Sequence, residues 1–209
     1  MPSTWTTRTI DTWEAELRDV LVDAFNEHSG HEKQLPETVR LDEYPKKVID
    51  RALDNASAHP YIIESHLTKD GAPFISVMGF VYMDGKVSIV SRRNGLKIKR
   101  LQEDPRWCVT YHNNRQRPTE LGCITLAGQA AVIDDQEKVA EANRLLSYKV
   151  YRDGDRDVEF REPMIESMDE ANRVLIVLDR VEAVYMVTPM VPGLPPGIPT
   201  PPIAWRAPS

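Results

Sequence analysis

Ser91, Arg92, Arg93 and Lys97 bring a hydroxyl, two guanidiniums and an ammonium into one short stretch. That set suits an oxyanion, above all a phosphate: an arginine fork engages two oxygens at once, and lysine adds a point charge. Val90 leads into it at the end of the run Val87-Ser88-Ile89-Val90-Ser91, and a short helix is expected over 95–103. The first N–H groups of that helix would add to anion binding. The same cations also read as the solvated face of a surface helix. Other clusters carry less. His28 and His31 stand three apart, a metal-compatible spacing, but with no third ligand nearby they read as surface histidines. Asp153-Gly154-Asp155-Arg156-Asp157 starts like a calcium loop. It has Val158 where the sixth position needs Gly and Met164 where the twelfth needs Glu, so it reads as a solvated loop. There is no Gly-x-Ser-x-Gly elbow, Gly-x-Gly-x-x-Gly turn or Walker loop. No residue stands out as acid, base or nucleophile, and His66 and His112 read as wall residues of strands.

The elements that must position the cations are mostly strands. Residues 61–67 form a strand candidate that stops at Lys69-Asp70-Gly71, and residues 73–82 follow it to a second Asp-Gly turn at Asp84-Gly85. Residues 87–91 form a third strand, and Asp104-Pro105 closes the short helix. Further strands are expected at 107–112, 122–133 and 173–188, with a helix from Asp134 or Asp135 to about Ser147 before the last of them. Earlier, residues 11–28 have helical apolar spacing, 31–43 are polar and irregular, and a second helix is expected from Pro45 to about Ala56. The tail from Pro189 holds half of the chain's 16 prolines and is expected to be extended and irregular. Helix, strand cluster, helix, strand is not the βα alternation of a doubly wound sheet. Six short strands joined largely by tight turns predict a mainly β (α+β) fold, a six-stranded antiparallel barrel with peripheral helices.

The chain has 209 residues, 41% hydrophobic and 28% charged, which suits one domain with extensions. The division expected is an N-terminal helical extension over 1–43, a barrel domain over 44–188 and a proline-rich tail over 189–209. A net charge of −6 argues against a nucleic-acid partner. No run approaches the ~18 apolar residues of a membrane span, and the N-terminus lacks a signal-peptide core. A cytoplasmic protein with two reduced cysteines, Cys108 and Cys123, is the expectation.

The segment from His59 to Asp135 resembles the flavin-binding split barrels of the pyridoxamine-phosphate-oxidase-like family, which include flavin and deazaflavin oxidoreductases. The likeness rests on Thr68-Lys69-Asp70-Gly71-Ala72-Pro73, on Ile89-Val90-Ser91-Arg92-Arg93 and on Lys97-Ile98-Lys99-Arg100-Leu101-Gln102-Glu103-Asp104-Pro105-Arg106. The strand Ile124-Thr125-Leu126-Ala127-Gly128-Gln129-Ala130 completes it. Ile75, Leu96-Lys97 and Cys123 stand where the oxidase members carry Arg, Arg-Lys and Gln, so the likeness is to the wider family rather than to the oxidase itself. The resemblance implies a split barrel of the FMN-binding type and a homodimer with two cofactor sites at the subunit interface. The cofactor implied is FMN, with coenzyme F420 as the alternative and haem as a lesser one, for which His66 or His112 would be the ligand. It implies that the backbone of Ser76, Val77, Met78 and Gly79 runs beside the cofactor ring. Val90, Ser91, Arg92, Arg93 and Lys97 would then hold the phosphate, Lys97 foremost. The activity implied is oxidoreduction of a small unsaturated, nitro or heterocyclic substrate, with the cofactor carrying the hydride. A non-catalytic flavin- or haem-binding sensor on the same fold is the alternative.

Overall fold

The computed structural model describes residues 39–54, 60–112, 123–151, 170–187 and 202–208, with single positions among 159–165. The expected helix over 11–28, His28 and His31, the loop 113–119 and the Asp153 loop lie outside the described residues.

In chain order the elements are β1 (Val39–Arg40), α1 (Lys46–Asp54), β2 (Tyr61–Leu67), β3 (Pro73–Gly79), β4 (Val81–Met83) and β5 (Lys86–Arg92). Then come α2 (Leu96–Glu103), β6 (Arg106–His112), β7 (Cys123–Ile133), α3 (Gln136–Val150), β8 (Arg173–Val187) and β9 (Ile203–Arg206). All strand pairs are antiparallel except β1 with β9, and the main path runs β1-β9-β8-β7-β6-β2-β3. β5 pairs with the first half of β8 and with β4, so β8 serves two arms of one curled sheet. The result is a mostly β, antiparallel split barrel.

Two differences from the expectation have local causes. The strand expected over 73–82 breaks at Phe80, whose side chain is fully buried and whose N–H donates to Pro60 O. The chain turns a corner there, and β3 goes to β2 while β4 goes to β5. The tail is not irregular throughout: Ile203–Arg206 pairs with β8 on one side and with Val39–Arg40 on the other, a strand in the segment expected to be loop. Pro202 precedes it and lies outside the ladder, so the missing N–H costs nothing.

The bend of β7 and β8 comes from register shifts at Ala127/Gly128 and Gln129/Ala130. A Cβ on Gly128 would lie 1.9 Å from the carbonyl oxygen of Arg180, so only glycine fits at this bulge. Ile62, Trp107, Val109, Ile124, Leu126 and Met186 fill the barrel, plugged by Val48, Ile49 and Leu53 of α1 and by Ile98 and Leu101 of α2. A smaller cluster of Val81, Val139, Ala142, Leu175 and Val177 lies under α3. Asp135 caps α3 by accepting from the N–H groups of Glu137 and Lys138, as its position before the helix predicts. Cys108 and Cys123 are both free thiols, and burial pushes each above its ordinary value. No helix among the described residues is long and apolar enough to cross a membrane.

Candidate cofactor site at the mouth of the barrel

Along β2, alternation sends Ile62, Glu64 and His66 inward and Tyr61, Ile63 and Ser65 outward. Glu64 is thus a carboxylate placed inside a β-barrel, with no exposed surface. Four groups converge on it. Lys97, reaching in from α2, pairs with Oε1 at 2.6 Å, and Ser76, opposite Glu64 on β3, donates to the same oxygen. Trp107 of β6 donates its indole N–H to Oε2 at 3.0 Å, and Nδ1 of His66 lies 3.2 Å from that oxygen. Burial pushes the Glu64 carboxyl up, but the Lys97, Ser76 and Trp107 hydrogen bonds and the Lys97 charge outweigh it. The group ends below its ordinary value and stays ionised.

Ser76 and Lys97, both expected in the site, therefore come together, with a further bond from Lys97 to Ser76 Oγ at 3.3 Å. Val77 is exposed, and Met78 is half-buried against the barrel core. Gly79 has a different neighbour from the one expected: its absent side chain leaves room for the Leu146 methyls of α3, 3.0 Å from where a Cβ would stand. On β5, Val90 packs on the cluster under α3, and Ser91 and Arg92 follow at the strand end. Arg93 is committed to a two-pronged pair with Asp134 and to the carbonyls of Ala171 and Arg173. Of the three cations expected to hold a phosphate, two already have carboxylate partners. Arg92 is exposed, and its guanidinium has no partner among the described residues.

Donors for an anion remain. Lys97 keeps one of its three N–H bonds beyond those to Glu64 and Ser76, and its side chain is 13% exposed. Gly95, the residue before α2, supplies no side-chain cap, and the N–H groups of Leu96 and Lys97 have no capping side chain among the described residues. Arg92 and the Ser91 hydroxyl, at the end of β5 that leads into α2, are further donors of the kind a phosphate takes. β3 has only β2 as a ladder partner among the described residues, which leaves half of its backbone donors and acceptors unshared.

Glu64 and Trp107 were not expected in the site, and His66 was expected there only as a haem ligand, otherwise as a wall residue. The signal was present in the period-two pattern of β2, where a carboxylate and an imidazole share one face. But Tyr61, Ile63, Ser65 and Leu67 make the opposite face the more apolar, and apolarity alone sends that face inward. The structure leaves it outside. Register carries the outward residues across five strands as two uncharged rows, Val77–Ile63–Thr110–Thr125–Tyr185 and Ile75–Ser65–Cys108–Ala127–Ala183.

Residues 58–187 match the family described as Pyridoxamine 5'-phosphate oxidase. The chain belongs to this family. No curated protein matches it. Similar solved structures include a conserved hypothetical protein from Mycobacterium tuberculosis, at 13% identity and TM-score 0.49, covering 69% of this chain and 86% of that one. A Clostridium acetobutylicum protein related to general stress protein 26 shows 12% identity and TM-score 0.48, over 78% of this chain and 96% of that one. General Stress Protein 26 from Bacillus anthracis shows 16% identity and TM-score 0.46, over 68% and 92%.

Proposed function

We propose that this member of the family binds a phosphorylated flavin, FMN or coenzyme F420, at the mouth between β3, the end of β5 and α2. It would use that cofactor to pass a hydride between a reductant and a small unsaturated, nitro or heterocyclic substrate. The observation that carries the reading is the unshared edge of β3 beside a cationic cluster that still has donors to offer. Arg92, Ser91, Lys97 and the N-terminus of α2 would hold the phosphate. The free backbone groups along Ser76–Gly79 would meet the polar edge of the ring. Bound there, the cofactor would supply hydride chemistry that no side chain can.

The reading includes a homodimer. The two uncharged rows across β3-β2-β6-β7-β8 expose large apolar side chains, with Ile75 at 64% and Val77 at 66%. A second copy of the same face covers them without burying a charge. Val77→Glu is expected to split the dimer on gel filtration with light scattering.

The test of the cofactor is the absorption spectrum of freshly purified protein, with the released chromophore identified by mass. Flavin or deazaflavin bands support the reading. A Soret band would replace the flavin by haem, and a colourless protein that takes up neither added cofactor would remove the function.

A further inference from the structure

Glu64 and His66 form a second device within the same mouth, and it fixes where one proton sits. The Glu64 carboxylate has about four lone-pair sites, and Lys97, Ser76, Trp107 and His66 address all four. An ionised carboxylate only accepts, so Nδ1 of His66 must carry a hydrogen. In the neutral imidazole the lone pair then lies on Nε2, which has no hydrogen-bond partner among the described residues. Phe74, directly across on β3, leans on the ring with centroids 5.2 Å apart and holds it in place. His66 is 6% exposed, one pleat repeat of about 7 Å from the Glu64–Ser76 row. An imidazole oriented by a carboxylate through Nδ1, with Nε2 unshared among the described residues, is placed to move protons.

We propose that His66 is the proton-transfer residue of this site and Glu64 its positioning residue. The inference rests on the redox reading above. In the reducing direction a hydride is delivered to one atom of a polarised double bond of the substrate, and the π pair moves to the neighbouring atom. That atom takes the proton from Nε2 of the imidazolium. The substrate gains two electrons and two hydrogens, the hydride being what a reduced flavin would supply, and the neutral imidazole takes a proton back from water. In the oxidising direction the same Nε2 lone pair removes the proton. Of the groups facing His66, Glu64 on its own strand and Lys97 from α2 carry charge. Phe74 and Ser76 of β3 and Trp107 of β6 carry no charge.

Long-range proton–nitrogen correlation spectra of the full chain, labelled in its histidines and free of cofactor, read the tautomer directly. Nδ1–H at His66 is expected, and an Nε2–H tautomer would overturn the proposal. His66→Asn, which keeps a donor near Glu64 and removes the base, supplies the second measurement. With the FMN-loaded protein and 2-cyclohexen-1-one or nitrobenzene as acceptor, kcat should fall about 10²–10³-fold. KM and FMN affinity should stay within about twofold, and the imidazole limb should vanish from the rate–pH profile. An unchanged kcat or pH profile would overturn the assignment. Failure of the redox reading shows separately, as absence of flavin uptake in the wild-type spectrum.

Discussion

Lys97–Glu64 and Arg93–Asp134 are two cation–carboxylate pairs drawn from the same run of basic residues, set in opposite surroundings. The first lies at the barrel mouth with side chains 13% and 0% exposed, the second on the surface at 35% and 53%. On the surface, water and salt screen the charges, and the pair does little beyond tying the end of β5 to the chain before α3. Inside, each partner is costly without the other, so the pair fixes where α2 sits on the barrel. Sequence made both Arg93 and Lys97 candidates for a ligand, with Lys97 foremost. Burial separates them: the interior pair builds the site, while the surface pair only withholds a guanidinium from it.

The largest expected effect is on stability. Lys97→Met leaves the Glu64 carboxylate buried without its countercharge and should cost about 3–5 kcal/mol, read as a lower urea midpoint. The double variant Glu64→Leu/Lys97→Met removes both charges and should recover most of that loss. A double variant as unstable as the single one would break the comparison, because the cost would then come from lost packing. Next is pH. Glu64 is held below its ordinary value in the folded chain. Its contribution is therefore present above the unfolded value of about 4.3 and is lost as pH falls through the lower folded value. Midpoints measured on acidification should fall more steeply in wild type than in Lys97→Met. Asp104, held at about 2 chiefly by its Arg106 hydrogen bonds, has the same sign but is half-buried against a largely exposed Arg106, where water screens the pair, so it is a poor rival for that acid transition. Smallest is Asp134→Asn. It should leave the urea midpoint where it is and, by freeing Arg93, tighten FMN binding about twofold, the scale of one exposed charge contact.

The barrel was largely legible because its turns are local. Asp70-Gly71 and Asp84-Gly85 place positive φ at Gly71, Asp84 and Gly85, and the strands between them follow from those stops. Long-range pairing was not legible. Nothing near Ile203 in the sequence says that it will pair with Val39, and nothing near Phe80 says that its strand must divide between two arms of the sheet. The site divides the same way. The cations at 91–97 announce an anion seat by their spacing, whereas their partners Glu64 and Asp134 lie dozens of residues away. Among the described residues those partners leave Arg92 without a carboxylate and Lys97 with one N–H to offer, which makes Arg92 the main cation proposed for a ligand.

That conclusion can be tested by titrating the flavin-free protein and its Arg92→Ala variant with FMN and with riboflavin, which lacks only the phosphate. The account predicts that wild type binds FMN more tightly than riboflavin by about 10–100-fold, the scale of a charge-assisted hydrogen bond, and that Arg92→Ala removes most of the difference. Equal affinities in wild type, or a preference that survives Arg92→Ala unchanged, would contradict it.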